Sequence, residues 1–146
     1  MRIAVVNGPN LNLLGTREPA LYGPHTLADI EARLADVARE LRVEIEFAQE
    51  NGEGALIDYV QSLRSRVSGA VINAGAYSHT SLALRDAFAA AEVPFVEVHV
   101  TNVFAREPER RHSMLAPAAV GVLCGFGAYG YELALRGLVA RLEPRD

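Results

Sequence analysis

With 146 residues, half of them apolar and 22% charged, the chain has the composition of one globular domain, which buries roughly two-thirds of its unfolded surface. Lys and Arg total 14 against 18 Asp and Glu, a net charge of -4 with no basic run, which argues against a nucleic-acid partner. Cys124 is the single cysteine, so neither an internal disulfide nor a cysteine-built zinc site can form.

No apolar run approaches the roughly 20 residues that span a bilayer, and the first residues end too abruptly for a signal peptide. The expectation is a cytoplasmic protein with no membrane partner. Ile3 to Val6 reads as a buried strand closed by Asn7-Gly8-Pro9. A long loop to His25 follows, with Gly15 and Gly23 as hinge candidates. It exceeds the roughly 2–6 residues of most strand–helix connections, as lids over ligand sites often do. Thr26, with Asp29 three residues on, opens a helix carrying Leu27, Ile30, Leu34, Val37 and Leu41 on one face. His25 is expected to be exposed just before it.

Val43, Ile45 and Phe47 alternate with Glu44 and Glu46, as in a strand near a sheet edge. Glu50 to Gly54 reads as a turn. Leu56, Ile57, Val60, Leu63 and Val67 form a second helix face, and Gly69 to Asn73 a third strand. Thr80 to Glu92 reads as helix, Pro94 to His99 and Ala119 to Cys124 as strands, and Ala128 to Leu142 as a closing helix. Cys124 is expected to be inert core. Strands alternating with helices imply a parallel sheet covered on both faces. The expected fold is α/β: a flavodoxin-like three-layer sandwich, with a five-stranded parallel sheet in the order 2-1-3-4-5, over a single domain 1–146.

Ligands of such folds bind beyond the carboxyl ends of the strands. Strand one there leads into Asn7 to Asn12, strand three into Asn73 to Ser81, and strand four into Glu97 to Asn102. Asn, His and Thr side chains thus gather on one rim.

These segments carry a resemblance. The run NGPNLNLLGTREP over residues 7–19, followed by Tyr22 and Gly23, resembles the opening signature of type II 3-dehydroquinate dehydratases. NAGAYSHTS over residues 73–81 resembles their second block, and EVHVTN over 97–102 with Ala105, Arg106 and Glu107 their third. QENGEGALID over 49–58 is a weaker fourth. The resemblance implies a cofactor-free and metal-free hydro-lyase that converts 3-dehydroquinate to 3-dehydroshikimate by anti elimination through an enolate. It also implies a homo-oligomer, a dodecamer built from trimers. Tyr22 would be the base, held as phenolate by Arg17. Asn10 would position a water on the enolate oxygen. His99, oriented by Glu97, would protonate the departing hydroxyl. Asn73, His79, Thr101 and Arg110 would bind the substrate, Arg106 would sit in or beside the site, and Asp86 would reach a neighbouring subunit's site. The residue types suit the chemistry. A free tyrosine carries little phenolate at neutral pH, so a tyrosine base needs a cation beside it. Arginine keeps its proton there, and histidine is a natural acid near pH 7.

The chain departs from the family at Thr101, where Ser is usual, and at Phe104, where His is usual. Pro108 and Glu109 also break the usual Arg-Glu-Glu-Phe-Arg run. Pro108 restrains its own φ and that of Glu107, which bears on where Arg110 points. A related cyclohexane carboxylate as substrate, and quinate breakdown as the pathway, stay open on these departures.

Other readings fit less well. Gly125, Gly127 and Gly130 match the dinucleotide pattern G-x-G-x-x-G, but no strand follows to supply the acidic ribose partner. A signalling receiver would need an aspartate where Asn73 stands, and a flavin carrier a hydroxyl-rich loop after strand one. His79, His99 and His112 could ligate a metal by residue type, but their spacing carries no ligand signature.

Overall fold

The computed structural model describes residues 1–144, so the last two residues of the expected 1–146 domain lie outside the described residues. Its strands are β1 (Arg2–Asn7), β2 (Glu44–Gln49), β3 (Gly69–Asn73), β4 (Phe95–His99) and β5 (Gly121–Cys124). All pairs are parallel and the order is 2-1-3-4-5, as expected. The helices are α1 (Pro19–Tyr22), α2 (Leu27–Leu41), α3 (Glu53–Ser62), α4 (Tyr77–Thr80), α5 (Leu82–Ala91) and α6 (Tyr129–Leu142).

The apolar runs of β1, β3 and β4 follow from their interior positions, because both faces of each are covered. On one face Ile3, Val5, Val71 and Val98 pack against Leu34 and Val37 of α2 and Leu135 and Leu138 of α6. On the other, Val6, Ile72 and Phe95 pack against Leu56 and Val60 of α3 and Leu84 and Phe88 of α5. Each such side chain contributes about 1.5–3 kcal/mol when fully buried. β2 alternates because it is an edge strand, and its side chains are largely half-buried.

Thr26 and Asp29 form the expected capping box: Asp29 N–H donates to Thr26 Oγ1 at 3.1 Å and Thr26 N–H to Asp29 Oδ2 at 3.0 Å. Other boundaries differ from expectation. The helix expected from Thr80 begins at Leu82, because Ser81 caps it by accepting from Leu84 N–H at 2.9 Å. Thr80 closes the separate turn α4. Val67 lies beyond α3, which ends before Ser65 turns left-handed at φ 58°. Cys124 is half-buried on the edge strand β5 rather than core. The long loop is not featureless either. It holds a 3-10 turn at Leu11–Leu13 and the helix α1, and His25 is exposed as expected.

The carboxyl ends of β1 and β3 meet closely. Gly8 N–H donates to Asn73 O at 2.8 Å, and a Cβ on Gly8 would sit 2.4 Å from the Ala74 carbonyl oxygen. Only glycine fits this crossing of two backbones. The order reverses between these two strands, which is where doubly wound sheets open a ligand crevice.

Candidate active site

A cleft of about 150 Å³ opens at that crevice. It is smaller than the roughly 300–1,000 Å³ of drug-sized pockets, so it suits one small ring. Asn10, Arg17, Tyr22, Asn73, His79, His99, Thr101, Arg106 and Arg110 line it. Of the other residues singled out from the sequence, Glu97 lies behind His99, and Asp86 is exposed on α5 away from its own chain's cleft.

The long loop after β1 supplies one wall. The Arg17 guanidinium carbon lies 4.9 Å from the centre of the Tyr22 ring. Arg106 approaches the same tyrosine from the far side of the sequence. Its Nη1 donates to Tyr22 Oη at 3.0 Å and to Thr101 Oγ1 at 3.3 Å. Arg17, expected to hold Tyr22 as phenolate, faces the ring, and Arg106, 5.3 Å from the same ring centre, adds the hydrogen bond to the hydroxyl. Two guanidinium groups thus flank one phenol.

β4 supplies the opposite wall. His99 Nε2 lies 2.9 Å from Glu97 Oε1, and Glu97 is wholly buried. Ser113 Oγ donates to that same oxygen at 2.6 Å. His79 stacks on His99 at 5.9 Å between centroids. Its Nδ1 lies 2.7 Å from the His112 carbonyl, so Nδ1 carries the hydrogen. Burial holds the His79 pKa below the ordinary imidazole value, against the raising effect of that bond. His112 Nε2 is turned to Met114 Sδ at 3.4 Å. The three histidines thus face separate partners rather than one point, and no group of His, Cys, Asp or Glu among the described residues could hold a metal ion.

Asn73 is part of the frame. Its Nδ2 donates to Tyr131 Oη at 2.9 Å, its Oδ1 accepts from Gly75 N–H at 3.1 Å, and one Nδ2 hydrogen is left for the cleft. Tyr131 Oη donates onward to Asn7 Oδ1 at 2.6 Å. Burial pushes the Tyr131 phenol far above its ordinary pKa, so it stays a neutral donor. Asn10 is left-handed at φ 69°, and its N–H donates to Asn51 Oδ1 at 3.0 Å. Gln49 Nε2 bonds that oxygen at 3.1 Å and the Gly8 carbonyl at 3.1 Å. The weak fourth sequence block is thus a brace beneath Asn10.

Pro108 opens a 3-10 turn, Pro108–Arg110, with Glu107 extended before it. Arg110 pairs with Glu107 and still lines the cleft. Hydrogen bonds from Glu107's own backbone and from Arg110 hold the Glu107 carboxyl below the usual carboxylate range.

A family model described as Dehydroquinase class II matches residues 1–139. The chain belongs to that family. A 3-dehydroquinate dehydratase of Gemmatimonas aurantiaca is 65% identical over 98% of this chain and 94% of its own length. One from Jannaschia is 57% identical over 98% and 97%. The crystal structure of a type II dehydroquinase from Propionibacterium acnes superposes with a TM-score of 0.90 at 40% identity, covering 95% of this chain and 96% of that one.

Ser113, Asn7, Tyr131, Gln49 and Asn51 were not singled out from the sequence as site residues. Asn7 opens the first strong block without a role of its own there, Ser113 lies outside the three strong blocks, and Tyr131 reads as an ordinary core position on a helix face.

Proposed function

We propose that the chain dehydrates 3-dehydroquinate to 3-dehydroshikimate by anti elimination, without a cofactor or a metal. The observation that carries this reading is the pairing across one small cleft of a tyrosine flanked by two arginines with a histidine backed by a buried carboxylate. Relatives that are named 3-dehydroquinate dehydratase at 65% and 57% identity support the substrate.

Tyr22 as phenolate takes the proton beside the ketone, and the electron pair moves onto the carbonyl oxygen as an enolate. Arg106 and Arg17 stabilise the charge on Tyr22 before that transfer. Asn10, fixed by Asn51, orients a water at the enolate oxygen. The enolate then collapses and expels the hydroxyl, which leaves as water with a proton from His99. Glu97 holds the imidazolium. Asn73, His79, Thr101 and Arg110 bind the substrate's carboxylate and hydroxyls. The working unit is one catalytic domain over 1–146 in a cytoplasmic homo-oligomer, a dodecamer built as a tetramer of trimers, with Asp86 serving a neighbour's cleft.

Ultraviolet absorbance of the purified protein with 3-dehydroquinate tests the reading. A rising band from the conjugated product is expected, unchanged after exhaustive chelation and dialysis. A flat trace removes the assigned reaction, and activity restored only by added metal removes the cofactor-free mechanism.

A further inference from the structure

We propose that Ser113 is a positioning residue for His99, acting through Glu97; its consequence for turnover rests on the functional reading above. The hydroxyl has one hydrogen to give and two lone pairs to fill. Leu115 N–H and Ala116 N–H donate to Ser113 Oγ at 3.1 and 3.0 Å. Both lone pairs are therefore taken, and the single Ser113 hydrogen goes to Glu97 Oε1 at 2.6 Å.

That oxygen is the one facing His99 Nε2. Glu97 is wholly buried, and its other oxygen, Oε2, makes no hydrogen bond among the described residues. Ser113 and His99 are thus the two groups that hold this carboxylate, both at Oε1. A carboxylate held in this way accepts from His99, which puts the hydrogen of a neutral His99 on Nε2. Nδ1 is then the nitrogen that exchanges a proton with the cleft. Without Ser113 the carboxylate loses its anchor to the 113–116 turn and can rotate about its terminal torsion. Both the ring's orientation and its tautomer then relax. Proton abstraction by Tyr22, on the other wall, does not depend on this chain of bonds.

The test compares Ser113→Ala, Ser113→Thr and Ser113→Cys with the parent protein, with folding checked by circular dichroism. Ring ¹⁵N spectra of substrate-free protein read the tautomer, and the His99 signals are identified by their loss in His99→Ala. The parent is expected to carry hydrogen on Nε2 alone, and Ser113→Ala to show both tautomers. With substrate, Ser113→Ala should lose about 10- to 100-fold in dehydration, the range expected for one hydrogen bond to a charged group. It should still wash the substrate's acidic proton into deuterated solvent. Ser113→Thr, which keeps the hydroxyl, should restore both readouts. Ser113→Cys keeps the size with a weaker donor and should fall between, so it decides the matter if the alanine variant does not fold. An unchanged tautomer in the folded alanine or cysteine variant overturns the proposal, as does an equal fall of exchange and dehydration. A parent protein inactive on 3-dehydroquinate removes the functional reading alone, because the tautomers are read without substrate.

Discussion

Tyr22 meets its two cations unequally, and the difference can be measured. Both guanidinium groups lie against the ring, at 4.9 Å for Arg17 and 5.3 Å for Arg106, and Arg106 alone also donates to the hydroxyl. A hydrogen bond to a charged group is worth about 1.5–3 kcal/mol, and a cation over an aromatic face about 0.5–2 kcal/mol. Arg106→Ala should therefore lower kcat more than Arg17→Ala does. Tyr22→Phe should abolish nearly all turnover while the substrate still binds, as calorimetry can check. Groups that act as one unit give non-additive losses, so Tyr22→Phe with Arg106→Ala should be little worse than Tyr22→Phe alone. A tyrosine variant that keeps a tenth of the parent turnover would place the base elsewhere. Arg17 was legible as Tyr22's partner because both lie in one loop, five residues apart. Arg106 as hydrogen-bond donor was not, because it lies 84 residues away and only the sheet order brings β4's exit loop over the lid.

At the scale of elements, periodicity carried the strands and the long helices, since both faces of β1, β3 and β4 had to be apolar and α2 had a stripe facing the core. What it missed were interruptions made by single residues: the Ser81 cap that splits α4 from α5, and the left-handed Ser65 after α3. It also did not register the ion network joining α2 to α6. Arg33 forks onto buried Glu132 at 2.9 and 3.0 Å, and Arg136 joins Glu132 at 3.0 Å to Glu40 at 2.6 Å. The Arg33 hydrogen bonds, then those of Arg136, hold the Glu132 carboxyl below its ordinary pKa against the opposing effect of burial. A folded value below the unfolded one means stability that is present above the ordinary carboxylate range. That stability is lost as pH falls through the lower, folded value. Glu132→Gln should destabilise by about 1–3 kcal/mol at pH 7, less than a fully buried pair because Arg33 is half in water. Denaturant midpoints at pH 7 and in acid check this: the gap between parent and variant should narrow in acid. A gap independent of pH would show that packing, not charge, is what Glu132 contributes.

The whole molecule presents surfaces that a lone chain leaves in water. Val120 just before β5 and Val122 on it are 40% and 46% exposed, and Phe126 and Tyr129 beside the cleft are 60% and 57% exposed. Asp86 stands exposed on α5 and takes no part in its own chain's cleft. An apolar edge left in water fits the proposed assembly, in which Asp86 serves a neighbour's cleft. Light scattering at micromolar concentration should then report a higher oligomer, and a fully active monomer would refute it. A mixing experiment asks the finer question. Tyr22→Phe and Asp86→Ala should each be weakly active as pure assemblies. If Asp86 serves the next subunit in a closed ring, co-refolding the two in equal amounts creates sites with an intact Tyr22 from one variant and an intact Asp86 from the other. Random mixing makes that combination in about a quarter of sites, because each of the two independent requirements is met half the time. Activity should therefore rise to about a quarter of the parent value. If Asp86 instead acted within its own chain, no mixed site would hold both residues and mixing would restore nothing.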